Sequence, residues 1–425
     1  MHYRVLYVLN FLAFALAVIL AAGGDSPRFT GQSDRVRAYT REIEFDYPNW
    51  VWNAFWTKIE QAAIGAPYQF DRGTDKLIVY EYLRVTGQLM QAESFIEQVY
   101  ANPDITDKEA ASQVLRAQRD RLIAQQAKLA PFAEATLQSQ VTEAFAELGL
   151  TTGGQTIPPL LYHTTSTPLA LIVSPRDKIM QLTNISVLPS LTLDEQIKLE
   201  DDVAKTQDVS TLVVPVGGVG VYPTMVMETT DLRWVLDTIA HEWAHNYLTM
   251  RPLGIKYAAT PELRTMNETT ASITGNEVGN YVVKKYYPEL YVPPPPPNPP
   301  SSNPVPTPTP DPNTPPPFDY RAEMHTTRVH TDELLAAGKI DEAEAYMEQR
   351  RQLFWQNGYL IRKLNQAYFA FHGAYADVPG GAAGEDPVGP AVRALREQSS
   401  SLADFVNTIA WMTSFDQLKQ AIQSK

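Results

Sequence analysis

Apolar positions along this chain fall into three regimes. From 28 to 150 they recur every three to four residues, the spacing of helices with one buried face. Tyr47-Pro48-Asn49-Trp50 opens an aromatic-rich helix whose Trp50, Trp52, Phe55, Trp56 and Ile59 are expected to form its buried face. Asp107 to Leu129 reads as a long polar helix. Pro131 to Leu148 reads as another, striped by Phe132, Leu137, Val141, Phe145 and Leu148 and stopped by Gly149 and Gly153-Gly154.

Between 157 and 228 the period changes. Leu160 to Tyr162, Leu169 to Val173, Ile185 to Leu188, Thr211 to Val214 and Gly220 to Met227 are short apolar runs. Ser174-Pro175-Arg176-Asp177 and Pro215-Val216-Gly217-Gly218 supply turns, so one small mixed sheet is expected.

Helical spacing then returns. Thr230 or Asp231 caps a helix to about Met250, with Leu232, Leu236, Ile239 and Trp243 along one stripe. Arg251-Pro252-Leu253-Gly254 breaks it, and Thr260-Pro261 starts a second helix running to about Tyr287. Residues 318 to 371 and 389 to 423 are helical again, separated by a glycine-rich loop at Pro379 to Gly389. The stretch Leu335 to Glu344 has the flavour of a helical-repeat turn, but it has no second copy, which excludes a repeat array. The expectation is an α+β fold, predominantly helical.

The two ends of this pattern are different in kind. Arg4 precedes Val5 to Ala22, a run that is apolar except for Asn10, and Ala21, Ala22 and Gly23 are small enough for a signal-peptidase site. Residues 1–24 are therefore expected to be a signal peptide or a single N-terminal membrane anchor, and either places the remainder outside the cytoplasm. Residues 293–317 are a proline-rich spacer. Between and beyond lie an N-terminal helical region (25–150), an α+β region carrying the chemistry (151–292) and a C-terminal helical region (318–425).

Composition narrows the chemistry. The 425 residues include no cysteine, which excludes disulfides, thiolate metal sites and a cysteine nucleophile. The net charge of -13 argues against a nucleic-acid surface. A transition metal would have to be held by His, Asp and Glu, and only seven histidines exist.

Two of them stand in His241-Glu242-Trp243-Ala244-His245, an H-E-x-x-H pentapeptide. On a helix, residues four apart share a face, so both imidazoles can grip one ion. Glu242 then lies beside the open coordination position as a general base toward water. A third protein ligand is required. Glu268, in Asn267-Glu268-Thr269-Thr270-Ala271-Ser272, follows His245 by 23 positions, room for a turn and a return helix. Glu277 is the rival, 32 positions after His245. His163, His325 and His330 stand alone and receive no role.

This arrangement resembles the gluzincins, the thermolysin-like zinc metallopeptidases, whose third ligand is a glutamate in an Asn-Glu-x-x-(Ala/Ser) segment. A closer resemblance covers much of 210 to 420. His-Glu-x-Ala-His, Asn-Glu-x-x-Ala-x-x-x-Gly, and then Arg350 to Phe354, Leu364 to Tyr368, Gly373-Ala374-Tyr375 and a closing helix at Ser400 to Met412 are similar to a bacterial family named as aminopeptidases. The resemblance implies one zinc per chain on His241, His245 and Glu268 and hydrolysis of a peptide or protein substrate. Zinc lowers the pKa of water toward about 7, and Glu242 shuttles the proton to the leaving nitrogen. It also implies an oxyanion donor from the C-terminal helices: Tyr375, His372 or Tyr368. Where the family has an aspartate four residues after the glutamate this chain has Ser272, so Ser272, Asn276 or Glu277 would take over that support. The run Gly217 to Met227 is a candidate edge strand for extended substrate. The competing readings are an inactive or structural zinc-binding envelope scaffold, and a zinc hydrolase with a non-peptide substrate.

Overall fold

The computed structural model describes residues 31–65, 72–101, 105–291, 293, 318–375, 384 and 386–423. The apolar leader, nearly all of the proline tract and most of the glycine-rich loop lie outside them. The described chain is predominantly helical with small sheets.

Its N-terminal third is four helices: Gln32–Thr40, Tyr47–Ala63, Arg72–Ala101 and Lys108–Glu147. The two helices expected on either side of Pro131 are one 40-residue helix. Proline there forfeits a single backbone hydrogen bond. The following turns bury Ala133, Leu137, Val141, Ala144 and Phe145 against the main core, which holds the helix together across it. Asp107 caps its start, accepting from the Ala110 N–H at 2.9 Å.

The aromatic helix forms over Tyr47–Ala63, but the expected buried face is wrong. Its buried residues are Ala54, Lys58 and Gln61, whereas Trp52, Trp56 and Ile59 are exposed. The reason is a polar network. Lys58 Nζ donates to Glu134 Oε2 at 2.6 Å and to Gln61 Oε1 at 2.8 Å, and Gln61 donates to the same carboxylate oxygen at 2.8 Å. Glu134 Oε1 also accepts from the Thr164 N–H and meets His163 Nδ1, both at 2.9 Å. A buried carboxylate with this many partners is expensive to leave uncompensated, so the lysine face turns inward and the tryptophans turn out. His163 therefore belongs to this network.

The central region holds two three-stranded sheets among the described residues, in place of the single sheet expected. One is antiparallel in the order β3-β2-β4: β2 is Leu169–Pro175, β3 Thr183–Val187 and β4 Val209–Pro215. The other is mixed, β1-β6-β5, with β1 at Tyr162–Thr165 parallel to β6 at Thr224–Met227, and the two-residue β5, Gly218–Val219, antiparallel to β6 on the edge. Between β3 and β4 lies a helix the spacing did not announce, Leu193–Gln207. Its start is fixed by reciprocal bonds between Thr192 and Glu195. Seven of its fifteen residues are charged, and its buried Leu199 and Val203 make a thin stripe.

The helix Leu232–Thr249 packs along the return helix Pro261–Tyr286, and both join the largest hydrophobic cluster through Leu236, Ile239, Trp243, Met266, Val278 and Val282. Asp231 caps the first, accepting from the Trp234 N–H at 3.0 Å. Thr260 caps the second, accepting from the Leu263 N–H at 3.2 Å. The C-terminal region comprises Tyr320–Ala336, Ile340–Gln356, Gln366–His372, Val388–Gln398, Leu402–Ile409 and Phe415–Gln423. Its helix Gln366–His372 seats Ala367 on Ala170, Ile172, Leu212 and Val214 of the antiparallel sheet. Arg176 in turn holds Glu344 with two bonds, at 2.8 and 2.7 Å.

Candidate metal centre

His241 and His245 stand one turn apart on the helix Leu232–Thr249, on the side opposite its buried Leu236 and Trp243. The return helix brings Glu268 to them. Their Nε2 atoms are 3.0 Å apart, and Glu268 Oε2 is 3.7 Å from His241 Nε2 and 3.5 Å from His245 Nε2. Ligands about 2.0–2.1 Å from one tetrahedral ion stand roughly 3.4 Å from one another, so this triangle has the right size. These three residues are the group of the described chain that could hold a metal ion. Glu268 is buried, and its Oε2 has no hydrogen-bond partner. A buried, unpaired carboxylate oxygen aimed at two imidazole nitrogens is a position that calls for a cation.

The surrounding groups orient these atoms. His245 Nδ1 lies 2.7 Å from Asn267 Oδ1, an acceptor, which fixes a proton on Nδ1 and turns Nε2 toward the centre. Glu268 Oε1 accepts from the Tyr257 hydroxyl, and Arg264 Nε donates to that same hydroxyl at 3.2 Å. Arg264 is buried and also donates to the Ala370 carbonyl at 2.8 Å, joining the site to the C-terminal region. Asn267, Tyr257 and Arg264 are functional neighbours that sequence reasoning missed. Asn267 stood in the quoted motif without a role, and nothing in the local pattern marks Tyr257 or Arg264.

The helices approach closely because the return helix carries glycine where they cross. A Cβ on Gly275 would lie 2.6 Å from the Asp237 carbonyl oxygen and 3.1 Å from His241 Cβ. On the other side, a Cβ on Gly218 would fall 2.6 Å from Glu242 Oε1, so the edge strand lies directly against the glutamate of the pentapeptide.

Electrostatics in the pocket are set by burial and by one another. Burial raises Glu242 to about 7, with Glu268 adding to the effect and His245 opposing it. Burial works against the charge on Glu268, but His245, His241 and Arg264 overcome it and hold the carboxylate at about 2. Burial, with the neighbouring His245, lowers His241 to about 3 against the opposing charge of Glu268. The phenols of Tyr375 and Tyr257 are both raised, first by burial and then by the charge of Glu268, so both stay protonated as donors.

These groups open into a cavity of about 670 Å³. Tyr375 lines it, its ring 6.4 Å from that of His241. Ser272 and Asn276 line it as well. His372 and Tyr368 do not: their rings pack on each other at 4.3 Å, and the Tyr368 hydroxyl meets that of Tyr320 at 3.1 Å. Glu277 is directed away, held by Arg396 through two bonds at 2.7 and 2.9 Å. Within the expected Gly217 to Met227 strand, the edge is β5 alone, since β6 is flanked on both sides. Tyr47 reaches the cavity from the N-terminal region, its hydroxyl 2.7 Å from Ser186 Oγ. No family model, no curated protein and no solved structure matches this chain.

Proposed function

We propose that this chain is a zinc-dependent peptidase acting outside the cytoplasm, secreted or anchored by Val5 to Ala22. The observation that carries the reading is the buried, unpaired Glu268 Oε2 at 3.5 and 3.7 Å from two imidazole nitrogens, with Glu242 on the same helix. Two imidazoles and a carboxylate suit zinc, where magnesium and calcium take oxygen ligands throughout. His241, His245 and Glu268 would hold it, one ion per chain. Bound zinc polarises a carbonyl and makes water a nucleophile near neutral pH.

The protein's own groups supply the rest. Glu242 takes a proton from the attacking water and returns it to the departing amide nitrogen. Tyr375 is the protonated donor on the cavity wall for the oxyanion that would form at the carbonyl, while the Tyr257 proton is committed to Glu268. Gly218–Val219 offers an unpaired strand edge against which an extended peptide adds a strand. That edge favours a peptide over other hydrolysable substrates.

The test is cleavage of a mixed peptide library by the zinc-loaded chain at neutral pH. The expected result is cleavage that chelation abolishes and added zinc restores. Stoichiometric zinc with no cleaved peptide would overturn the reading.

A further inference from the structure

The helix Tyr47–Ala63 is inside out. Trp52, Trp56, Ile59 and Ala63 recur at the spacing of a core-facing stripe, yet that stripe is exposed: Trp52 by 61%, Trp56 by 47% and Ile59 by 41%. The opposite face buries a lysine and a glutamine. The helix cannot roll to correct this. Lys58 and Gln61 are bound to buried Glu134, the Tyr47 hydroxyl to Ser186, and Trp50 Nε1 to Thr165 Oγ1 at 3.5 Å. The apolar stripe is therefore fixed outward and covered by nothing in the described chain.

We propose that this stripe seats on the surface of the lipid bilayer that Val5 to Ala22 enters. The inference rests on the anchor part of the function proposed above and is independent of the zinc chemistry. Two observations select lipid. Paired tryptophans on one helix face suit the membrane interface, where an apolar ring and a polar N–H are both accommodated. The described chain begins at Gly31, nine residues after Ala22, a tether that spans at most about 30 Å fully extended. The helix would lie in the interface plane.

The seven tryptophans make the test direct, because none falls within the first 30 residues. The full chain is reconstituted into vesicles of phosphatidylcholine and phosphatidylglycerol whose acyl chains are brominated, and both flotation and tryptophan quenching are read. Besides Trp52 and Trp56, Trp355 and Trp411 are also strongly exposed, at 56% and 66%, and serve as internal controls. The expected result is quenching that drops at least twofold in the Trp52→Phe/Trp56→Phe chain and is unchanged in the Trp355→Phe/Trp411→Phe chain. A chain that floats while both double variants quench alike overturns the docking and leaves the anchor standing. A chain that does not float removes the anchor and the docking with it. Concentration-dependent shielding of Trp52 and Trp56 from acrylamide in detergent, without lipid quenching, would assign the stripe to a second copy instead.

Discussion

Asn267 Oδ1 stands 2.7 Å from His245 Nδ1, so the residue immediately before the third candidate ligand orients the second. The return helix thus delivers a ligand and a support from adjacent positions. Removing that acceptor frees the His245 ring to rotate and to change tautomer. Asn267→Ala is expected to weaken zinc affinity about 10- to 100-fold with the fold retained, and Asn267→Asp, which keeps an acceptor, to restore most of it. A competition titration against a chromophoric chelator measures this. Wild-type affinity in Asn267→Ala would remove the role.

Helix crossing at Gly275 is the second point of leverage. Alanine is the better helix former by about 1 kcal/mol. Its Cβ at 275, however, would press on the Asp237 backbone oxygen at 2.6 Å, and backbone cannot step aside. Gly275→Ala is expected to cost about 1–3 kcal/mol net in urea unfolding. Gly279→Ala meets the Asp237 carboxylate, a side-chain end that can rotate away, and the Asp237 backbone nitrogen only at 3.1 Å, and is expected to cost less. The reverse order would show that the two helices are not held together as described.

The helices bearing the site could be read directly from the sequence. Thr230 or Asp231 and Thr260-Pro261 marked their starts, with Asp231 the cap that forms, and the Leu232, Leu236, Ile239, Trp243 stripe marked the inward face. His241, His245 and Glu268 followed from spacing and resemblance and are brought together. What failed has physical causes. Spacing reports that a helix has two faces, but the burial of Lys58 depends on Glu134, 76 residues away, so the inward side of Tyr47–Ala63 could not be assigned locally. Pro131 signalled a boundary that tertiary packing overrides. Tyr257 and Arg264 matter only because the turn and the return helix fold them onto Glu268.

His372, displaced from the catalytic role expected of it, becomes a pH-sensitive structural group. Burial holds it down to about 4, against about 6.5 in the unfolded chain. Between those values the unfolded chain takes up a proton that the folded chain refuses. This contribution is complete above pH 6.5 and is lost as pH falls toward 4, by roughly 3 kcal/mol in full. His372→Phe, which keeps the packing on Tyr368 and Phe371, is expected to flatten that part of the curve. Urea midpoints at pH 4.5 and 7 compare the two chains, and an identical pH slope would contradict the assignment.

The central claim is that Glu242 is the base beside a bound zinc. Glutamine keeps its shape and cannot accept the proton. The deciding measurement is zinc content and peptide hydrolysis on the same preparation of Glu242→Gln. The account predicts one zinc per chain, unchanged thermal stability and a loss of hydrolysis of about 100-fold or more. A Glu242→Gln chain that holds zinc and cleaves peptides at the wild-type rate would contradict it.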